Sequence, residues 1–215
     1  QFPTNALLNE LFPDRPVILE RVDGHASIAN DFALKLAGVK PGQTMEGGQF
    51  LMQDGKLTGL LVDNAVSVVD KIMPPVTKED YKNWLISAQQ NCFATGLTTI
   101  TDCGLSPADI DQVDALQKSN DLKMRLYVML SDKPESYLSK YYTDGGYVTD
   151  RLSVKGIKVY SDGALGSRGA CLLQHYTDKA GWSGFLLSSQ AHFDSLAAQL
   201  INTDFQMCTH AIGDS

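Results

Sequence analysis

The stretch "VKGIKVYSDG", residues 154–163, decides the fold class of this chain. It is short, rich in β-branched residues and closed by turn-forming residues, which predicts a buried strand. Four other segments share these features: residues 15–23, 96–104, 123–130 and 205–214. Helical patterns lie between strands, at residues 27–38, 77–96, 106–120 and 188–204. Because strands that alternate with helices build βαβ units, the sequence predicts an α/β fold with a parallel sheet.

Capping and turn-forming residues predict where two helices begin and where a hairpin turns. Thr77 and Ser106 are expected N-caps, since their hydroxyl groups can accept hydrogen bonds from the first helical turn. Asp54-Gly55 is typical of a tight hairpin turn and lies within the irregular stretch 39–66. His25 follows an Asp-Gly turn, and we expect it to open the helix at residues 27–38. Residues 162–187 form a long connection whose aromatic residues favour an ordered loop.

The composition argues against several classes of protein. The chain has 215 residues and a net charge of −7, without a cluster of Lys and Arg, which argues against a nucleic-acid partner. Its apolar runs are strand-sized, so no membrane partner is expected. The four cysteines have neither CxxC spacing nor a dense disulfide pattern, which favours a reducing cytoplasm. The length suits one domain with a sizeable core.

Polar side chains stand at the carboxyl ends of the predicted strands. They are Asp23, Asp102, Asp162 and His210. Ligands bind at this edge both in (β/α) barrels and in doubly wound open sheets, so this polarity alone does not choose between the two folds. The functional site is expected at this edge in either case.

Lys158 lies among apolar residues within the strand at 154–163. A lysine in a central strand is costly unless its charge is paired or neutralised. Three interpretations are open: the side chain pairs with a carboxylate, acts as a Schiff-base nucleophile, or carries a carbamate that binds metal.

Other residues admit a functional and a structural interpretation. His210 could ligate a metal, together with Asp214 four residues later, or serve a structural role. Arg168 could hold a substrate carboxylate or carbonyl with its guanidinium group, or be a solvated or structural arginine. His175 and His192 are interpreted as a loop residue and a helix-surface residue, and neither is assigned a role.

Five stretches together resemble the amidohydrolase superfamily, in the family-3 branch similar to N-substituted formamide deformylases. They are "RPVILERVDGHASIANDFALKLAG" (15–38), "GLTTITDCG" (96–104), "IKVYSDGALGSRGA" (157–170), "GWSGFLL" (181–187) and "THAIGD" (209–214). The resemblance implies part of a distorted (β/α)8 TIM-like barrel, from an insertion after the first strand through strand five. It also implies one or two divalent metals, most often zinc, and a metal-activated water that attacks the carbonyl of a small amide-like substrate.

The resemblance also suggests roles for individual residues. Lys158 matches the fourth-strand lysine, which is carboxylated and bridges the metals, and His210 matches the fifth-strand histidine ligand. His25 and Asp23 belong to the insertion and are expected to contact substrate, as are Asp162 and Arg168 in the loop after Lys158.

Several parts of the family pattern are absent from these 215 residues. There is no HxH pair, no later histidine or aspartate ligand, and no β-sandwich domain. We expect a single incomplete domain, with residues 1–75 resembling the insertion and residues 76–215 forming βα units of a longer enzyme. With two candidate ligands, the chain alone is expected to be inactive and to hold no metal. Exposed barrel edges would favour self-association.

Two alternative functions remain open from the sequence. Lys158 could form a Schiff base in a metal-free aldolase or lyase, which borohydride would trap with a carbonyl substrate. The chain could also be a degenerate, non-catalytic barrel that serves binding or structure.

Overall fold

The computed structural model describes residues 2–132, 138, 141 and 145–215, which divide into two units. We call the first the hairpin unit; it comprises Gln1–Pro74, Tyr160–Ser189 and Ala211–Ser215. We call the second the parallel-sheet unit; it comprises Pro75–Val159 and Gln190–His210.

The described residues of the hairpin unit form a four-stranded antiparallel sheet, three short α-helices and two 3-10 helices, at Asn64–Val66 and Leu165–Ser167. Its elements are α1 (Ala6–Leu11), β1 (Ile18–Glu20), β2 (Ala26–Ala29), α2 (Asp31–Leu36), β3 (Gly48–Gln53), β4 (Lys56–Asp63) and α3 (Ser67–Asp70). The strand order is β1-β2-β4-β3. At the predicted hairpin turn, Asp54 and Gly55 both have positive φ, 50° and 76°. This conformation matches the backbone that a tight two-residue hairpin requires, so the hairpin prediction is confirmed.

The prediction of a helix over residues 27–38 is partly wrong. Ala26–Ala29 form β2, which pairs with β4, and the helix begins only at Asp31. His25 therefore precedes a strand and does not open a helix. The change occurs at the buried Asn30, whose side-chain oxygen accepts from Ala33 N while its amide group donates to the carbonyl of Arg15. Pairing with β4 and the burial of Ala26 and Ala29 outweigh the helical pattern of residues 27–29.

The parallel-sheet unit is built from alternating helices and strands. Its elements are α4 (Lys78–Ala94), β5 (Thr99–Leu105), α5 (Pro107–Lys118), β6 (Arg125–Ser131), β7 (Tyr147–Val148), β8 (Leu152–Tyr160, of which Tyr160 is counted with the hairpin unit), α6 (Gln190–Leu200) and β9 (Gln206–His210). β5 pairs in parallel with β6, and β6 in parallel with β8. The short β7 is antiparallel to β8, and β9 also pairs with β8. The predicted α/β class with a parallel sheet is confirmed.

Helix caps and an apolar core fix this unit. Thr77 and Ser106 each form a capping box, with Asp80 and Asp109 respectively, as their positions predict. The core is a cluster of aliphatic side chains from the strands and from α5 and α6, including Val113, Val128, Leu130, Val154, Ile157, Val159 and Leu196. Buried residues largely alternate with half-buried ones along β6 and β8, so one face of these strands packs into this core.

No helix within the described part of the chain is long and apolar enough to span a bilayer.

Candidate functional site

Lys158 lies near the carboxyl end of β8, opposite Ser131 of β6. Its neighbours along the strand, Ile157 and Val159, are fully buried, whereas Lys158 itself is half-buried. A Cβ at Gly104, in β5, would lie 3.2 Å from Ser131 Oγ and 4.0 Å from Lys158 Cγ. The carboxyl ends of three parallel strands therefore converge around the lysine side chain.

The strand on the other side of Lys158 carries His210. β9 pairs with β8, and His210 is its last residue and half-buried. Cys208, on the same strand as His210, interacts electrostatically with Lys158. Burial raises the pKa of the Cys208 thiol, and the charge of Lys158 partly opposes that rise. Lys158 and His210 thus occupy adjacent strands, although their predicted roles as metal ligands remain predictions.

Asp102 of β5 is a further carboxylate of this sheet. Burial raises its pKa, the hydrogen bond from Gly104 N opposes that effect, and the nearby charge of Asp109 reinforces it. The pKa of Tyr81 is raised to about 12, again chiefly by burial and further by the two aspartates. A carboxylate whose ionised form is disfavoured is typical of functional sites, although structural causes also produce it.

The described residues do not complete a metal site. In residues 2–132, 138, 141 and 145–215, no group of three or more His, Cys, Asp or Glu side chains is arranged to hold a metal ion. Lys158 and His210 are two candidate ligands, whereas a catalytic zinc takes three protein ligands.

In the hairpin unit, Asp162 holds together three parts of the loop region. Its carboxylate accepts hydrogen bonds from Cys171 N at 2.8 Å, Ile212 N at 3.0 Å and Gly213 N at 2.6 Å, and the residue is 2% exposed. Hydrogen bonds from several backbone N–H groups stabilise an ionised carboxylate. These contacts describe a structural clamp, and a direct contact of Asp162 with substrate remains a prediction.

Arg168 and Asp23, two more predicted substrate residues, each have an ionic partner. The Arg168 guanidinium binds the exposed carboxylate of Asp178 through Nε and Nη2 and lies 4.4 Å from the centre of the Phe2 ring. Asp23 accepts from Arg21 Nε at 2.6 Å, and this hydrogen bond holds the Asp23 pKa below its usual value. Both predicted roles are untested by these contacts.

His25, the last predicted substrate residue, pairs with a carboxylate that the sequence pattern did not single out. His25 Nδ1 lies 2.6 Å from Asp63 Oδ1, and the two side chains are 14% and 1% exposed. The imidazole also meets Tyr160 edge to face, with 6.4 Å between ring centres. Asp63 ends an apolar run, "GLLVD", in the same way that Asp102 and Asp162 end or follow theirs. That shared pattern is the signal that could have identified it.

A second histidine–aspartate pair lies in the parallel-sheet unit. His192 Nε2 of α6 is 2.7 Å from Oδ2 of Asp132, the residue directly after β6. The side chains are 16% and 9% exposed, so the prediction that His192 is a helix-surface residue is wrong. The helical pattern could not reveal this because the partner lies 60 residues away in sequence.

A model of the amidohydrolase family, family 3, matches residues 1–215. The chain belongs to this family. Protein LONG AFTER FAR-RED 3 of Arabidopsis thaliana is 28% identical over 228 aligned residues that cover the whole chain. YtcJ of Bacillus subtilis (strain 168), which its name places among the amidohydrolases, is 29% identical over 219 aligned residues that cover 96% of the chain. The chain spans 39% and 40% of the length of these two relatives.

Two solved structures share the fold. An uncharacterized metal-dependent hydrolase from Pyrococcus horikoshii OT3 matches the whole chain with a TM-score of 0.67 at 23% identity. An uncharacterized metal-dependent hydrolase from Pyrococcus furiosus matches it with a TM-score of 0.64 at 26% identity. The chain covers 42% and 44% of those proteins. The likeness to these two structures shows the fold of the chain, and the family that the chain belongs to implies a divalent metal.

Proposed function

We propose that the protein is a metal-dependent hydrolase that cleaves amide-like C–N bonds. The observation that carries this proposal is the position of Lys158 and His210 on two paired strands, near the carboxyl end of β8 and at the end of β9. In barrel enzymes the catalytic residues lie at this edge of the sheet, at the carboxyl ends of the strands. The match of the family model to all 215 residues supports the same function.

The proposed architecture is a partial (β/α)8 barrel of the metal-dependent hydrolase type. β5, β6 and β8 run in parallel, α5 lies between the first two in sequence, and β8 continues through α6 to β9. This order would make β5, β6, β8 and β9 four consecutive barrel strands, and it supports the assignment of Lys158 and His210 to neighbouring positions around the barrel.

In the proposed site Lys158, as a carboxylated lysine, and His210 bind a divalent metal, zinc being the expected ion. The bound metal would polarise the substrate carbonyl and activate water. These two donors fall short of the three that such a site needs. We therefore expect the 215 residues by themselves to hold no metal and to be inactive.

The loop that follows Lys158 is proposed to shape substrate binding. Asp162 joins the start of this loop to Cys171 through its backbone hydrogen bonds, and Arg168 is held by Asp178. These contacts hold the loop in one conformation. A rigid loop can hold a bound substrate in one orientation. Asp23, beside His25, is also proposed to contribute to substrate binding, and its carboxylate accepts a hydrogen bond from His25 N at 3.2 Å.

The test is hydrolysis of a panel of amides by the full-length protein, its Lys158→Met variant and a matched Lys155→Met variant. Lys155 is on the same strand and lies 3.6 Å from the exposed Asp204, so it serves as a control for the loss of a lysine. We expect Lys158→Met to abolish hydrolysis and Lys155→Met to retain it. Equal activity of all three proteins would contradict the proposal.

A further inference from the structure

The antiparallel sheet of the hairpin unit has a second apolar face. Its first face packs against the core that contains Ala29 and Leu61. Because side chains alternate between the two faces of a strand, the neighbouring residues Ile28 and Leu60 point to the second face. Antiparallel sheets commonly turn one face to water and carry polar side chains there. The apolar second face is therefore a feature that the core does not explain.

Strand pairing places five apolar residues together on this second face. Leu19 lies opposite Ile28, and Ile28 lies opposite Leu60, so these three residues form one row across β1, β2 and β4. Ala26 and Val62 form the next row, two residues along the strands. Ala26 and Val62 are buried, whereas Leu19 is 55% exposed. The apolar patch is thus buried at one end and open to solvent at Leu19.

A cavity of about 270 Å³ lies against these five residues. Phe2, Pro3 and Ser167 also line it, and its described lining residues all belong to the hairpin unit. Its volume is just below the range of about 300–1,000 Å³ that is typical of small-molecule sites, which are also mostly apolar. The cavity therefore suits a compact apolar molecule.

Arg21 lines the same cavity and carries a hydrogen-bond donor without an acceptor. Its Nε donates to Asp23 Oδ1 at 2.6 Å, whereas Nη2 is buried and has no hydrogen-bond partner among the residues that the structure describes. A buried donor without an acceptor costs free energy, which an acceptor atom of a ligand would recover. The Arg21 side chain is 35% exposed, so it can adjust to bring Nη2 to a molecule that enters the cavity.

The charges around Arg21 select the kind of acceptor. Asp23 already pairs with the guanidinium, and Glu20 is a further carboxylate that lines the cavity. One positive charge thus stands beside two negative charges, so an anionic ligand would be repelled. A neutral carbonyl oxygen can accept the hydrogen bond from Nη2 without adding a charge.

We propose that this cavity is a binding site for a small, neutral carbonyl compound with an apolar body. The apolar body packs over Leu19, Ile28 and Leu60, and the carbonyl oxygen accepts a hydrogen bond from Arg21 Nη2. This site uses neither Lys158 nor a metal, so it goes beyond the proposed hydrolase function and does not depend on it.

The experiment is ligand-observed ¹⁹F NMR of the full-length protein with three aromatic molecules of similar size. They are para-fluoroacetophenone, which has the carbonyl oxygen, para-fluoroethylbenzene, which has no acceptor, and para-fluorobenzoate, which adds a negative charge. Each molecule is titrated at millimolar concentration. We expect the ketone to bind about tenfold more tightly than the hydrocarbon, because it gains one hydrogen bond to a charged donor. The ketone should also bind more tightly than the benzoate.

Three variants locate the site. Arg21→Met removes the donor and should bind the ketone no more tightly than the hydrocarbon. Arg15→Met is the matched control and should keep the tenfold preference, because Arg15 also pairs with an aspartate, Asp14, but does not line the cavity. Ala26→Val adds two methyl groups at the buried end of the cavity and should weaken the binding of ketone and hydrocarbon alike. Unfolding midpoints confirm that each variant is folded.

A ketone that does not bind, equal binding of ketone and hydrocarbon by the wild type, or tighter binding of the benzoate would each overturn the inference. An unchanged preference in Arg21→Met would place the ketone at another site and overturn it as well. Hydrolytic activity is not among these readouts, so its presence or absence bears only on the proposed function.

Discussion

The two histidine–aspartate pairs of this molecule have nearly equal contact distances, 2.6 Å at His25–Asp63 and 2.7 Å at His192–Asp132. They differ in the nitrogen that faces the carboxylate, Nδ1 in the first pair and Nε2 in the second. They differ also in the backbone around them. Asp63 has a left-handed φ and packs against two glycines, whereas the second pair joins a helix to the end of a strand.

The contact distance of such a pair therefore does not identify its role. The second pair is explained by packing, because it attaches α6 to the residue after β6. The first pair costs backbone strain that packing alone does not require, since a glycine at position 63 would avoid it. The predictions below test that difference between the pairs.

The largest expected effect is on stability when each aspartate becomes asparagine. Asp63→Asn should lower the free energy of unfolding by about 3 kcal/mol, because it removes the carboxylate from a deeply buried hydrogen bond with His25. Asp132→Asn should cost about 1 kcal/mol, since that carboxylate is nearer to solvent. Urea unfolding of the two variants measures the difference, and equal losses would show that the pairs are equivalent.

The next largest effect is expected at the glycines that enclose Asp63. Gly169→Ala should destabilise the protein by about 2 kcal/mol, because the added methyl group collides with the Asp63 carboxylate. Gly166 is the matched control in the same loop, since a Cβ at that position would lie 3.5 Å from the nearest atom, Arg21 Nη1. Thermal unfolding should leave Gly166→Ala close to wild type. If Gly169→Ala were as stable as wild type, the contact of Gly169 with Asp63 would not distinguish the two histidine–aspartate pairs.

The smallest effect concerns Asp102, a half-buried carboxylate of β5 in the parallel sheet. Its pKa is raised mainly by burial, so folding disfavours the ionised form of Asp102 relative to the unfolded chain. The stability from this preference is present below the unfolded pKa of about 4 and is lost as pH rises through the higher folded pKa. Asp102→Asn should therefore slightly stabilise the protein at pH 7 and make no difference in acid. A pH series of unfolding midpoints measures this, and a destabilised variant at pH 7 would contradict the assigned cause.

Much of the parallel-sheet unit can be predicted from the sequence because its signals are local. The strands around residues 99–105, 125–131 and 152–160 are apolar runs bounded by turns, and Thr77 and Ser106 cap the helices that they precede. The adjacency of Lys158 and His210 also follows from strand order, because consecutive βα units place neighbouring strands side by side.

The hairpin unit and the two pairs could not be predicted in the same way. Asp63 lies 38 residues from His25, and Asp132 lies 60 residues from His192, so no local pattern joins them. Residues 27–29 carry a helical pattern, yet pairing with β4 makes them part of a strand. In each case a contact between residues far apart in sequence determines the local structure or the pairing. The periodicity of a short segment carries no information about such a contact.

The proposed function depends above all on Lys158 helping to hold a divalent metal in an amide hydrolase. Elemental analysis of the full-length protein, its Lys158→Ala variant and the matched Lys155→Ala variant tests this role most directly. We expect about one to two divalent ions per wild-type chain, the same in Lys155→Ala, and a clear loss in Lys158→Ala. A wild-type protein without bound metal, or a Lys158→Ala variant with full metal content, would contradict the proposed role. Trapping of Lys158 by borohydride with a carbonyl substrate would then identify it as a Schiff-base residue.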